Sequence, residues 1–478
     1  MRGAIVRLSG ISIQNIKNVR KGELNFCNNR KDYRASVLGM YGQNGSGKTT
    51  LIDAIQILKD ILCRKPIEAT MADYINVDAP YALLEYDFDV RTPIGRYKAY
   101  YEFKLRKEEY DPEQNMDDMG EADNKSRIVL FDEILSYSFE GKSCKIRKSR
   151  FIDTTRNQIF GPETKYDSLV GREEDVRTDL LVARKLAEQT SRSFVFSGEL
   201  LNVARKHGLN MKQDEEEYMR HMKLMEALVF YGCYELFVIN SRTVGVISMN
   251  ILPLAFKYEE EGRKAAGMTL LPLEEPTVIR QETMDIVDKV IKNMNIVLDQ
   301  MVPGLTIELK DLGNQVMKNG DVGKRIQLMS NRNAKLIPLK NESDGIKKIV
   351  MILQLLIAVY NQESITVAID ELDSGVFEYL LGEVVRIVSE KGKGQLIFTS
   401  HNLRPLETLD RGFIAFTTTN PNNRYVRMMN VKDNNNLRDL YYRDIVLGGN
   451  NQAEELYEPT HNAEIALAFR EAGEMFGE

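Results

Sequence analysis

Residues 35–58 read ASVLGMYGQNGSGKTTLIDAIQIL, and this stretch decides the fold. Its centre, Gly42, Gln43, Asn44, Gly45, Ser46, Gly47, Lys48 and Thr49, fits the phosphate-loop pattern GxxxxGK(S/T) at every fixed position. The apolar run Val37 to Tyr41 before it predicts a buried strand. Leu51, Ile52, Ile55 and Leu58 after it recur at helical spacing. Strand, glycine loop and helix in that order aim backbone N–H groups and a helix N-terminus at one point, which suits a polyphosphate. Lys48 is placed to reach the terminal phosphates, the Thr49 hydroxyl to hold Mg²⁺, and Thr50 to complete the contacts of the loop.

Such a loop needs an acid at the end of a neighbouring strand. Ile365 to Ile369 is a short apolar run that ends in Asp370-Glu371. Asp370 is the candidate partner of the metal, and Glu371 the candidate general base for an attacking water. Leu396 to Ser400 is a second buried strand ending in a polar group, His401, a candidate for contact with the γ-phosphate or the water. Ser343-Asp344-Gly345 precedes an apolar helix over 346–360, with Ser343 as its N-cap.

Outward from these motifs, the chain divides into three. Residues 1–150 predict an N-terminal lobe of mixed sheet carrying the phosphate loop, with strands near 4–26, 81–90, 97–105 and 127–152 and a charged loop at 107–126. Residues 151–300 predict a mainly helical insertion, with helices near 175–190, 214–237 and 281–301. On the last of these, Met284, Val287, Ile291, Met294 and Leu298 share one face. Met219, Met222 and Met225 are expected in a core. Residues 301–478 predict a C-terminal lobe built on a parallel sheet. The fold class is α/β.

The 478 residues suggest two to four units at roughly 100–200 residues each. A hydrophobic share of 43% with 28% charged residues fits a soluble globular protein, and no run of 18 apolar residues predicts a membrane span. The first residues lack the apolar block of a signal peptide, so a cytoplasmic location is expected. Cys27, Cys63, Cys144 and Cys233 are scattered without a CxxC, which argues against a zinc site or a disulfide framework. Net charge is −6, which argues against a uniformly basic nucleic-acid-coating surface. The basic run Lys142, Lys145, Arg147, Lys148 and Arg150 reads as a solvated strand edge, with DNA contact as the alternative.

The order of phosphate loop, long insertion, Ser-x-Gly helix start, Asp-Glu strand and Thr-Ser-His strand resembles the ABC-type AAA ATPases of the SMC/RecF/OLD-like group. The resemblance covers roughly residues 1–150 and 300–430. It implies ATP and Mg²⁺ as cofactors, with Ser343, Asp344 and Gly345 as a degenerate signature, Asp373, Ser374 and Gly375 as the D-loop, and His401 as the switch histidine. It further implies a homodimer of heads, or a higher oligomer, that sandwiches two ATP molecules, each phosphate loop facing the signature of the other head. Two departures stand out: no glutamine takes the Q-loop place, where only Asn76 and Asp78 are on offer, and Phe377 stands where OLD-like members carry a histidine.

Val238 to Arg242, Val302 to Leu305, and Leu437 to Tyr442 with Gly448-Gly449 are similar to stand-alone ATPases of anti-phage and abortive-infection systems, the AriA of PARIS and AbiL/RloA types. That likeness implies a sensor or scaffold subunit that controls a separate nuclease or toxin. The stretch after His401 is too short for the Toprim domain of OLD nucleases. A RecF/SMC-like repair ATPase that clamps DNA, and an ATP-bound scaffold with negligible turnover, are the competing expectations.

Overall fold

The computed structural model describes residues 3–28, 32–109, 126–142, 144–155, 158–210, 216–240, 251–260, 263–317, 320–332, 335–427, 436–447, 456 and 462–474. The chain opens with β1 (Ile5–Ile16), β2 (Val19–Asn25) and β3 (Ser36–Tyr41), which runs through the phosphate loop into α1 (Lys48–Leu62). Next come β4 (Ala82–Thr92), β5 (Gly95–Glu109), β6 (Ser126–Gly141) and β7 (Lys145–Asp153). The helices α2 (Glu163–Val170), α3 (Glu174–Gln189), α4 (Gly198–Asn210) and α5 (Glu216–Tyr234) follow. After them stand β8 (Leu236–Ile239), the hairpin β9 (Ile251–Glu260) and β10 (Arg263–Pro272), β11 (Thr277–Ile279) and α6 (Gln281–Met301). β12 (Leu305–Val316), β13 (Val322–Arg332) and β14 (Lys335–Pro338) lead to α7 (Asp344–Asn361) and β15 (Thr366–Ile369). The described chain closes with α8 (Glu378–Lys391), β16 (Gln395–Thr399), α9 (Arg404–Thr408), β17 (Ile414–Thr417), β18 (Tyr425–Val426), α10 (Leu437–Leu447) and α11 (Asn462–Glu474).

Two six-stranded sheets carry the molecule. The first has the order β2-β1-β4-β5-β6-β7 and is antiparallel throughout. Its strands alternate apolar and polar residues, so one face is buried. That face is lined by rings: Tyr86 stacks on Phe103 at 5.9 Å, and Tyr101 meets Phe196 edge-on at 5.1 Å. Helices α1 to α5 share this core, and the Tyr86 hydroxyl donates to the Ala54 carbonyl of α1 at 2.7 Å.

The second sheet has the order β18-β17-β3-β16-β15-β8 and is parallel from β17 to β8. It is buried on both faces, which is why its strands are almost uninterrupted apolar runs. Leu38 and Met40 of β3 face the core shared with α1, whereas Val37 and Tyr41 join the core built with α7 and α8. Parallel pairing brings the C-terminal ends of β3, β8, β15 and β16 to one edge, where open α/β sheets bind ligands. A third core joins α6 to β9–β13 and the opposite flank of α7, and Val287, Ile291, Met294 and Leu298 are buried there with Met284 packed at its rim.

The structure corrects several expectations. The phosphate-loop strand does not belong to the sheet of residues 1–150; it lies between β17 and β16, strands from the far end of the chain. The first sheet is antiparallel rather than mixed for the same reason. The expected helical insertion over 151–300 is not one unit. Helices α2 to α5 cover the first sheet, β8 returns to the parallel sheet beside β15, and 251–301 belong with β12–β14. Strand character extends into 107–109 and resumes at Ser126; the expected loop between lies outside the described residues. Met222 and Met225 are core residues, and Met219 packs against them. The basic run lies on and beside β7, the edge strand, where Lys145 pairs with Glu140 and Arg150 with Asp153. Ser241-Arg242 and Gly448-Gly449 lie outside the described residues.

Candidate functional site

The loop between β3 and α1 is shaped by close approach. At Gly42, φ is +154°, and a Cβ would stand 1.7 Å from Thr417 Oγ1. At Gly47, φ is +98°, and a Cβ would meet Val19 Cγ2 at 2.9 Å. Both positions therefore require glycine. The Ser46 hydroxyl donates to the Gln43 carbonyl at 2.6 Å and touches Thr417 Oγ1 at 2.5 Å. From the β17–β18 hairpin, the buried Tyr425 hydroxyl donates to the Gly47 carbonyl at 2.9 Å. The loop is thus braced from behind by residues that no motif singles out.

Helix α1 has no acidic residue in its first turn and starts from Gly47 without a side-chain cap, so its N–H groups and dipole face the pocket uncompensated. Lys48 Nζ donates to the carbonyls of Gly42 at 2.7 Å and Gln43 at 2.9 Å. Burial pulls the Lys48 ammonium down to about 8, against the opposing pull of Asp370, Glu371 and Asp373.

Across the pocket, Asp370 is buried at the end of β15. Thr399 Oγ1, from the end of β16, donates to Asp370 Oδ1 at 2.6 Å and accepts the Glu371 N–H at 2.8 Å. Thr49 Oγ1 stands 3.5 Å from the same Asp370 oxygen. Glu371 is exposed and adopts φ +49°, a left-handed conformation uncommon for a residue with a Cβ. Asp373 Oδ2 accepts the N–H groups of His401 and Asn402, both at 3.0 Å, and so ties the D-loop to the end of β16. Burial lowers the His401 imidazole, and the nearby Lys48 adds to it, so the ring is neutral at neutral pH.

Lys48, Thr49, Asp370, Glu371, Thr399 and His401 line one cleft of 490 Å³, together with Lys17, Asn18, Asn44, Gly45 and Thr50. A larger cleft of 660 Å³ on the outer face of the first sheet mixes Glu23, Glu85 and Asp87 with Arg96 and Lys98 and has no comparable convergence. Of the sequence candidates, the structure brings Asn44, Gly45, Gly47, Lys48, Thr49, Thr50, Asp370, Glu371 and His401 together. Gly42, Gln43 and Ser46 form the loop behind them. Ser343, Asp344 and Gly345 are not in this cleft. Ser343 caps α7, accepting the Ile346 N–H at 3.4 Å, and exposed Asp344 pairs with Lys347 at 2.8 Å. Gly345 packs against the D-loop of its own chain, where a Cβ would stand 2.2 Å from the Gly375 carbonyl oxygen. Ser374 is exposed beside it.

Lys348 and Lys17, both close to the cleft, escaped the motifs. Lys348, buried on α7, donates from Nζ to the Glu371 carbonyl at 3.2 Å; burial lowers its ammonium against the pull of Glu371, Asp373 and Asp370. Lys17 pairs with buried Asp53 of α1, and Asn240, at the end of β8, donates to the other Asp53 oxygen at 2.5 Å. Thr399 belongs to the Thr-Ser-His strand end, a pattern that does not announce its bridge between Asp370 and Glu371. Of the two residues on offer at the Q-loop place, Asn76 donates to the Lys17 carbonyl at 3.0 Å, and Asp78 pairs with Arg20.

The donors Thr49 Oγ1 and Asp370 Oδ1 are hard oxygens beside an anion-binding loop, which fits Mg²⁺ held by one or two protein oxygens plus phosphate. Among the described residues no cluster of three His, Cys, Asp or Glu offers a cage of its own, and no helix is long and apolar enough to cross a membrane.

A family model described as an AAA domain matches residues 11–59. No curated protein matches the chain. Among solved structures, the SMC head domain from Thermotoga maritima is 13% identical, with a TM-score of 0.35 over 88% of this chain and 99% of that one. The Pyrococcus furiosus Smc head, solved with an extended coiled coil and the C-terminal domain of ScpA, is 11% identical, with a TM-score of 0.37 over 89% and 96%. RecF with ATP, from the RecFOR pathway, is 14% identical, with a TM-score of 0.31 over 83% and 94%. The chain itself is an α/β protein in which a phosphate loop joins a strand of a parallel sheet to a helix.

Proposed function

We propose that this chain binds ATP with Mg²⁺ in the cleft of Lys48 and Asp370 and hydrolyses it to ADP and phosphate. The observation that carries the reading is the convergence of Lys48, Thr49, Asp370, Glu371 and His401, from the ends of three parallel strands, on one cleft. Phosphate oxygens displace the Gly42 and Gln43 carbonyls as partners of Lys48 Nζ. Thr49 and Asp370 would hold the Mg²⁺ ion, which would supply charge neutralisation for the phosphates. Glu371 takes the proton of the attacking water, and neutral His401 offers the γ-phosphate or the water a hydrogen bond.

Ser343 to Gly345 stand outside the cleft of their own chain, and this favours completion of the site by a second copy, head to tail. On the sequence resemblance, the physiological role is that of a sensor or scaffold subunit in an anti-phage system, controlling a separate nuclease or toxin. ATP turnover by wild type, Lys48→Ala and Glu371→Gln tests the chemistry. Turnover is expected to fall by about 10²- to 10⁴-fold in Glu371→Gln while ATP binding persists, and both are expected to vanish in Lys48→Ala. Equal turnover in all three would sink the reading. Capture of a defence nuclease or toxin on the ATP-loaded Glu371→Gln protein tests the role; retention of DNA instead would favour a RecF/SMC-like clamp.

A further inference from the structure

The far end of the phosphate-loop helix carries a feature that nucleotide chemistry does not use. Helix α1 ends at Leu62, and Cys63 caps it, its N–H donated to the Lys59 carbonyl at 2.9 Å. Helix α5 crosses it there. A Cβ on Gly232 would stand 2.3 Å from Leu62 Cβ, so backbone and side chain touch without a gap. The next residue, Cys233, has its Sγ 3.9 Å from the Leu62 carbonyl. Cys63 and Cys233 thus each follow one of the two touching residues, Leu62 and Gly232, and both are half-buried rather than sealed. The other two cysteines are far apart in the fold: Cys27 is exposed after β2, and Cys144 sits in the β6–β7 turn.

We propose that Cys63 and Cys233 form a dithiol modification site, oxidised by hydrogen peroxide or a similar small peroxide to an intramolecular disulfide that staples α1 to α5. The surroundings favour Cys233 as the attacking sulfur. The neighbouring Cys63 thiol holds the Cys233 thiol below its ordinary value, with Arg64, Lys59 and Lys65 adding positive charge, while Cys63 is pushed up. The Cys233 thiolate attacks one peroxide oxygen, the O–O bond breaks, and hydroxide leaves, giving a sulfenic acid. The Cys63 sulfur then attacks the Cys233 sulfur. The S–S bond forms, the S–O bond breaks, and the Cys63 proton leaves with the oxygen as water. The first hydroxide takes up the proton Cys233 had released, so two thiols and one peroxide yield one disulfide and two waters.

The staple would act on the nucleotide site through α1. Its first residue is Lys48, and its middle is already tied to the chain after α5 by the Asn240–Asp53 bond. A covalent link at its last turn fixes the helix at both points. This regulatory consequence rests on the nucleotide reading above; the bond itself does not.

The test exposes the full chain to hydrogen peroxide, alkylates the remaining thiols, and maps them by peptide mass spectrometry. The expected result is a linked Cys63–Cys233 peptide, reversed by dithiothreitol, with Cys144 still alkylated. In Cys63→Ser, dimedone should trap Cys233 as the sulfenic acid; in Cys233→Ser, Cys63 should resist. Oxidation of exposed Cys27 with Cys63 and Cys233 both left alkylated overturns the site. ATP turnover of the oxidised protein should drop several-fold and recover on reduction, with no change in the Cys63→Ser/Cys233→Ser double variant. A disulfide that forms without altering turnover overturns the regulatory part alone.

Discussion

The phosphate cleft and the surface around Gly345 flank the stretch after β15 in opposite ways. In the cleft, residues from α1, β15 and β16 close on one another: Thr399 bridges Asp370 and Glu371, and Lys48 is buried behind its own loop. Around Gly345 the described residues leave the surface open. The start of α7 touches the Gly375 carbonyl, and beyond it Phe377 is 72% exposed and Tyr379 56% exposed, beside a shallow apolar groove with Met301, Val302 and Ile346. One region is a finished half of a site, and the other is a half that faces outward. Lys348 joins them, because it sits on the helix that begins at Ser343 and holds the carbonyl of Glu371. On the proposed reading, hydrolysis belongs to the first region and contact with a second copy to the second.

The largest effect expected from pressing on this contrast is in the finished half. Free Lys48 sits at about 8, and bound phosphates raise it. A group whose pKa rises on binding gives full affinity below its free value and loses it above. ATP affinity should therefore hold below pH 8 and fall by about tenfold per unit as pH rises further, until the bound-state pKa is reached. Calorimetry in buffers of different ionisation enthalpy should show proton uptake in that range, and Lys48→Met should bind weakly with no such slope.

A smaller effect is expected at the link. Lys348→Met keeps the stem and removes the cation. ATP affinity should stay within about twofold, while kcat falls by about tenfold, the scale of one lost charged hydrogen bond of ~1.5 kcal/mol. A change in binding with kcat intact would show that Lys348 supports the pocket rather than positions Glu371.

The smallest effect tests the strain at Glu371. Glycine accepts a left-handed φ without a Cβ penalty, so Glu371→Gly should be more stable than Glu371→Ala by about 1 kcal/mol in urea titration. Equal midpoints would mean that the backbone relaxes at this position.

The finished half is also the half that sequence reveals. The spacing of Gly42, Gly47, Lys48 and Thr49 is fixed by local backbone geometry, and a short apolar strand running into Asp370 carries its own signal. What stays hidden depends on partners distant in the chain. The bond between Thr417 and Ser46, the Tyr425 hydroxyl under Gly47, and Lys348 under Glu371 have no local pattern. Leu236 to Ile239 follows α5 after one residue, and a four-residue apolar run cannot be told from a continuing helix by periodicity. That is why the insertion reads as one block in sequence and splits in the structure. The β9–β10 hairpin gave no recognised turn signal, and its tip lies outside the described residues. The placement of β3 between β16 and β17 is a matter of sheet order, which local sequence does not encode.

The most direct test of the account is the mass in solution of the Glu371→Gln protein with ATP and Mg²⁺, beside the same protein carrying Gly345→Asp. The account predicts an ATP-dependent shift from one copy to two or more, lost in the Gly345→Asp protein while ATP binding remains. A Glu371→Gln protein that binds ATP and stays a single copy would contradict it, and the outward face at Gly345 would then have to serve something other than a second head.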